Sequence, residues 1–210
     1  MRSDRMQRLL AVCGAFLLSA CGAHYAQVPA RLQLEPYGRL ALVTFSTDRA
    51  GGDSLDALAT RHFAEALLAS QSHIELVELG LSDSTVRRFG PAADPAALAQ
   101  ALGRDRDVAA VFLGRLNMSN VKPRGVVASV RDLRVGADVS GELTVSLVSA
   151  RTGGTVWRSS AAASQQVGHV SLSDAHPSVA VRDPDEASRE IVRQLVTGVT
   201  RDLRPTWVKQ

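Results

Sequence analysis

The chain has 210 residues, of which 45% are apolar and 21% charged, a globular composition with enough length for one ordinary domain and its core. Its formal charge of +3 is concentrated at the amino terminus, where Arg2, Arg5, Arg8 and Asp4 hold +2, so +1 remains beyond residue 20. That is no field to steer a polyanion, and the aromatic residues (4%) do not interleave with arginines as a stacking platform requires, so nucleic acid is excluded as a partner.

Residues 1–20 read as a leader: a positive segment to Arg8, an apolar run Leu9–Leu18, then small residues before a cysteine. The run is too short for a transmembrane helix, which needs roughly 20 residues, and no later segment supplies one. Leu18-Ser19-Ala20-Cys21, followed by Gly22, resembles the lipobox of bacterial prolipoproteins. The resemblance implies recognition through Leu18, Ser19 and Ala20 and cleavage before Cys21. It further implies a diacylglyceryl group on the Cys21 thiol and a third acyl chain, palmitate or similar, on its freed amine. Each buried methylene contributes about 0.8 kcal/mol to membrane attachment, so two or more chains anchor stably. In that family an aspartate after the cysteine retains the protein in the inner membrane, so with Gly22 there the resemblance implies the outer membrane, in an organism that has one. The competing reading is an ordinary secretory signal with a chance cysteine. Loss of Cys13 with the leader leaves Cys21 alone, so neither an intramolecular disulfide nor a thiolate metal site is expected.

Residues 21–38, with two prolines and no sustained periodicity, read as a lipidated tether, and residues 39–204 as the periplasmic domain, with 205–210 a tail. The apolar run Arg39–Ser46 predicts a strand covered on both faces. After a loop carrying Gly51 and Gly52, Asp53 or Ser54 is a candidate cap for an amphipathic helix over Leu55–Ser70, with Leu55, Ala59, Phe63, Ala66 and Leu67 on one face. Ile74–Leu79 alternates apolar with acidic residues, as a strand near an edge does. Asp94 and Pro95 have the chemistry of an N-cap and first helical position for a helix over Pro95–Leu102. Val108–Leu116 is a third strand. Two long β segments, Val126–Ser149 and Thr155–Val167, join through a glycine-bearing turn at 150–155. A polar loop, Gly168–Pro184, then leads to a helix over Asp185–Leu203 with Ile191, Leu195 and Val199 on one ridge and Val192, Val196 and Leu203 beside it. The expectation is one α/β (α+β) domain, a mixed sheet of about five strands with three main helices, in the order β-α-β-α-β-β-β-α.

No catalytic or metal-binding set follows from the residue types. His169, Asp174 and His176, with Asp183 and Asp185 nearby, could supply ligands to a divalent metal, but the spacing matches no metal motif and a solvated loop is favoured. Neither a nucleophile elbow nor a phosphate-loop motif is present, and the Gly51-Gly52 turn reads as a flexible connection. His62 and His73 read as surface or boundary residues, and Glu75 and Glu78 as isolated surface charges. Arg87-Arg88 and Arg104–Asp107 read as solvated surface, with an interaction patch as the alternative.

Val108–Leu116, with its Gly-x-apolar ending, and Leu143–Trp157, with the Ser-Ala-Arg-Thr-Gly-Gly-Thr-Val-Trp hairpin, are similar to segments of a periplasmic lipoprotein superfamily. Its members include CsgG-like export lipoproteins, LpoB-like activators of penicillin-binding proteins and the TolB amino-terminal domain. Arg39–Phe45 and the helix after it fit the same pattern, and the likeness covers about residues 39–203. Trp157 would cap the hairpin against the sheet, a ligand-stacking role being the alternative. Members act through protein contacts, not catalysis. A CsgG-like pore needs membrane hairpins of strands about 9–11 residues long. Met118–Val139, with Lys122, Arg124, Arg131, Asp132, Arg134 and Asp138, is too short and charged for them.

The resemblance implies an outer-membrane lipoprotein facing the periplasm, without cofactor beyond its lipid, acting as an envelope assembly or accessory factor through another envelope protein. Oligomers are compatible with that role. The alternative is a lipoprotein binding a small ligand or glycan through Gly168–Pro184 or the Gly51-Gly52 turn; an enzyme ranks third.

Overall fold

The computed structural model describes residues 25–47, 53–90, 94–129, 132–173 and 176–209. Cys21 and the lipobox residues Leu18, Ser19 and Ala20 lie outside them, as do Gly51, Gly52 and Asp174. The chain divides into two units, of which the smaller contains a two-stranded antiparallel ribbon. In it β1 (Tyr25–Val28) pairs with β10 (Thr206–Lys209), Tyr25 opposite Lys209 and Val28 opposite Thr206. Among the described residues, no helix is long and apolar enough to cross a membrane.

The larger unit, Arg31–Arg204, begins earlier than residue 39. Leu34 is fully buried, and the Leu32 amide donates to the Asp202 carbonyl at 3.1 Å. Gln71 clasps this entry: its Nε2 donates to the Leu32 and Leu203 carbonyls at 3.1 and 2.9 Å, and its Oε1 accepts from the Leu34 amide at 3.3 Å. The stretch read from sequence as tether and tail is therefore part strand and part domain. Two leucines, Leu32 and Leu34, alternating with polar neighbours carry too little periodicity to announce their packing against the core.

The remaining strands are β2 (Arg39–Val43), β3 (Ser46–Thr47), β4 (Glu75–Leu79), β5 (Ala110–Met118), β6 (Lys122–Ser129), β7 (Asp132–Ser149), β8 (Thr155–Ser173) and β9 (His176–Val181). The helices are α1 (Asp53–Ser70), α2 (Ser84–Phe89), α3 (Pro95–Arg106) and α4 (Pro184–Val199). All eight strands form one mixed sheet in the order β4-β2-β5-β7-β8-β9, with β3 alongside β5 and β6 alongside β7. β2 is parallel to both β4 and β5, and every later pairing is antiparallel.

The architecture is the expected mixed α/β sheet, but with more strands. β7 is long enough to pair with β6 along its first part and β5 along its second. The segment expected as a polar loop, Gly168–Pro184, instead continues β8 to Ser173 and forms β9. Its Ser, His and Pro composition masked an alternation of Val170 and Leu172 with Ser171 and Ser173. Pro177 is tolerated because β9 is an edge strand. The six-residue α2 was also not anticipated; it is capped by Asp83 and ends at Gly90, whose φ of 71° suits glycine.

Two connections decide where helices lie. The chain passes from β2 through α1 out to β4, then returns through α2 and α3 past β2 to β5. Parallel crossovers are right-handed, so opposite directions of travel place α1 and α3 on opposite faces of the sheet. α1 and α4 cover one face, where Leu40, Leu42, Phe112, Leu143 and Leu147 meet Phe63, Leu67, Ile191, Leu195 and Val199. Rings step through this layer edge to face, from Phe45 to Phe63 (5.4 Å), Phe63 to Phe112 (5.2 Å) and Phe112 to Trp157 (6.3 Å). Trp157 thus packs its ring against the sheet core. On the other face α2 and α3 cover a smaller cluster that includes Ala41, Val43, Val111, Val148, Val86, Leu98 and Leu102. Those two short helices leave the rest of that face open.

Candidate functional site

The open half of the face follows from strand register. Leu113 of β5 stands opposite Ser146 of β7, which stands opposite Arg158 of β8; the next row is Arg115, Thr144 and Ser160, and the one after Asn117, Glu142 and Ala162. Directly opposed residues in an antiparallel pair share a face, so these rows extend the apolar patch of Val111 and Val148 into a polar strip. Arg115, Arg158 and Ser160 are exposed. Arg158 Nε donates to Ser146 Oγ at 3.1 Å, and the Thr144 and Ser160 hydroxyls are hydrogen-bonded at 2.8 Å.

Between this strip and the α2–α3 pair lies a cavity of about 840 Å³. Its floor and inner wall are Val43, Val86, Leu98, Leu113 and Val148; its rim carries Arg87, Arg115, Arg158 and Asp94. It opens beside the carboxyl ends of β2 and β4, from which the two crossovers leave to opposite faces of the sheet. In open α/β sheets such a switch point is where a crevice forms, because the helices on either side diverge. Well-formed small-molecule sites span roughly 300–1,000 Å³ and combine apolar walls with a few polar groups.

Local chemistry holds the helical wall in place. Asp83 accepts from the Thr85 and Val86 amides at 2.8 and 3.3 Å, capping α2, and also from Arg106 at the end of α3. Asp105 accepts from the Thr85 hydroxyl at 2.7 Å and from Arg88 at 3.1 Å. Burial alone would raise the Asp83 carboxyl, but the Arg106 guanidinium and the two amides outweigh it and hold it below the usual carboxylate value. The Thr85 hydroxyl and Arg88 lower Asp105 in the same way. Arg88 and Arg106 are thereby engaged in fastening α2 to α3. Asp94 accepts from the Ala96 and Ala97 amides, both at 3.3 Å, so the amino end of α3 is already capped, as Asp94-Pro95 implied. The 150–154 turn closes against α3: Gly153 has φ 72°, and a Cβ there would come within 2.9 Å of the Ala96 Cβ.

Three cations at the rim are left over. Arg87, Arg115 and Arg158 have no carboxylate within ion-pair distance among the described residues, and Asp94 is the sole acidic residue lining the cavity. The sequence had presented Arg87 as one of a solvated pair and had singled out neither Arg115 nor Arg158. The available signal was the register itself, because Arg158 follows the hairpin turn at a distance that brings it opposite Ser146, in the row of Leu113.

The other residues considered from sequence do not converge. His62 Nδ1 lies 3.1 Å from Glu65 Oε2 on the surface of α1, and His73 follows that helix. Glu75 pairs with Arg39 at 3.0 Å across β4 and β2. His169 is on β8 opposite Ala180, and His176 opens β9 opposite Ser173. Among the described residues, no group of three His, Cys, Asp or Glu side chains is placed to hold a metal ion.

No family model and no curated protein matches this chain. Among solved structures it is similar to the PelC dodecamer from Paraburkholderia phytofirmans, with 15% identity over 87% of this chain and 98% of that one and a TM-score of 0.45. It is also similar to lipoprotein GNA1162 from Neisseria meningitidis, with 15% identity over 61% of this chain and 83% of that one and a TM-score of 0.36. A third similarity is to the LpoB carboxy-terminal domain from Salmonella enterica, with 16% identity over 72% of this chain and 92% of that one and a TM-score of 0.36.

Proposed function

We propose that this chain is a lipid-anchored accessory protein of the bacterial envelope, tethered through Cys21 to the outer membrane, whose domain faces the periplasm and works by binding another envelope protein. The observation that carries the reading is the cleft at the sheet's switch point, an open recognition surface whose walls are locked by Asp83 and Asp105. The leader and lipobox support the anchor. Since the larger unit starts at Arg31, nine residues separate it from Cys21. At 3.3–3.6 Å per extended residue they can span at most about 30 Å, so the partner would meet the domain close to the membrane.

A photo-cross-linking residue at Thr144, on the cleft rim, tests the reading in intact cells. Ultraviolet light should convert the lipidated chain into a species heavier by the mass of a second protein, and the same residue at exposed Arg201 should not. Recovery of the chain alone from Thr144 and from other rim positions would sink the proposal.

The volume of the cleft, about 840 Å³, favours a second reading, a lipoprotein that binds a small ligand. The ligand would sit in the cleft between α2, α3 and the open strands, in neither of the loops that sequence had suggested. In the cross-linking experiment it would add only a few hundred daltons.

A further inference from the structure

We propose that the cleft binds an anionic amphiphile, a molecule with an acidic head group, phosphate or carboxylate, and an apolar body. The inference rests on the small-ligand reading of the cleft and specifies its chemistry. Arg87 comes from α2, Arg115 from β5 and Arg158 from β8, yet all three line one cavity. Arg115 and Arg158 stand two strand spacings apart, about 10 Å, and one row removed.

An arginine at a protein surface commonly finds a carboxylate, and Arg88 and Arg106 nearby have done so. The three rim guanidinium groups have not; the acidic residue that lines the cavity with them is Asp94, already occupied by two amides of α3, and exposed Glu142, one row beyond Arg115, is not part of the lining. The charge excess at the rim is therefore positive. Guanidinium groups present forked donors that match phosphate and carboxylate oxygens, and the hydroxyls of Thr144 and Ser146 extend the same polar strip. A bare inorganic ion does not account for the rest of the site. The cavity is several times larger than such an ion, and its lining includes exposed Leu81 and half-buried Leu113 above the core residues Val43, Val86, Leu98 and Val148, apolar surface that gains stability only by covering carbon. A neutral lipid would leave the arginines unused. An acidic head at the rim with a hydrocarbon or ring system on the floor uses both halves.

The test takes the full mature chain carrying Cys21→Ala, so that no covalent lipid competes, and titrates it calorimetrically with decyl phosphate, decanoate, decanol, decyltrimethylammonium and inorganic phosphate. All amphiphiles are kept below their micelle concentrations. One equivalent of decyl phosphate or decanoate should bind at least tenfold more tightly than decanol, and neither the cationic probe nor phosphate alone should saturate the site. The stronger of the two acids identifies the head group. Arg115→Gln with Arg158→Gln should weaken the acidic probe at least tenfold without changing decanol binding. The double lysine variant should recover part of the loss, which separates charge from misfolding. Raising the salt concentration should weaken the acidic probes alone.

Equal binding of decanol and decyl phosphate, or indifference to the arginine substitutions, would overturn the proposal. So would phosphate binding as tightly as decyl phosphate. If the acidic probes fail while Thr144 still cross-links a protein in cells, this inference falls and the tethered-binding reading stands. If both fail, the cleft is not the working surface.

Discussion

A methyl group added at position 114 would disturb the aromatic layer. Gly114 is in β5 with the Phe45 ring directly over it, so that any Cβ would overlap ring carbons. Gly114→Ala should push Phe45 off Phe63 and lower stability by about 1–3 kcal/mol in urea denaturation. An unchanged midpoint would show that the ring has room to move. Asp83 makes a second residue-level case, through charge. Its carboxyl is held below the usual value, so the folded state binds its proton less readily than the unfolded chain. The stability this contributes is present above the unfolded value, near 3.8, and is lost as pH falls through the lower folded value. Asn is also a good N-cap, so Asp83→Asn isolates the Arg106 pairing. It should cost about 0.5–1 kcal/mol at neutral pH, and the difference from the parent should shrink as acid protonates Asp83. A difference that persists unchanged to pH 2 would contradict this.

At the scale of elements, α4 does most to close the core. Its buried ridge of Ile191, Leu195 and Val199 lies over β7 and β8, where Gly141 and Ala161 keep the strands low: a Cβ on Gly141 would stand 2.9 Å from Ile191 Cγ2, and one on Gly198 would stand 2.7 Å from the Ala161 Cβ. Leu195→Ala should cost about 2–5 kcal/mol, measurable as a lowered denaturation midpoint. A loss below 1 kcal/mol would mean that the layer repacks. The ridge was legible in the sequence, because helical spacing of aliphatic residues has one simple solution. So were the Asp94-Pro95 start of α3, the 150–155 turn and the edge position of β4. The additional strands were less legible. In β6, β9 and the continuation of β8 beyond Val167 the apolar residues are mixed with serine, histidine, proline and arginine, so composition outweighed alternation. The cleft could not be read at all from neighbours in sequence. Arg87 and Arg158 are 71 residues apart, and each alone has the appearance of solvated surface; only the return of the chain past β2 and the pairing of β5, β7 and β8 bring them to one rim.

For the whole molecule, the anchor and the domain are separable in experiment. Cys21→Ala should leave the fold intact and move the chain from the membrane pellet to the soluble envelope fraction. If the variant remains in the pellet after leader removal, attachment has another cause and the lipobox reading fails. Conversely, the arginine substitutions at the cleft should leave fractionation unchanged while altering what the domain holds. These two outcomes together would show location and recognition to reside in different parts of the chain, one in four residues around the cysteine and the other in side chains gathered from across the sheet.

The ribbon of β1 and β10 has a practical corollary for such work. Lys209 pairs with Tyr25, and Tyr25 is four residues from Cys21, at most about 14 Å of extended chain. A fluorophore or epitope at position 209 would therefore sit near Cys21, although it lies 188 positions away along the sequence. If Cys21 carries the proposed acyl chains, such a label should report depth at the bilayer surface and be poorly accessible to an antibody. Labels meant to follow the proposed partner belong on the cleft rim.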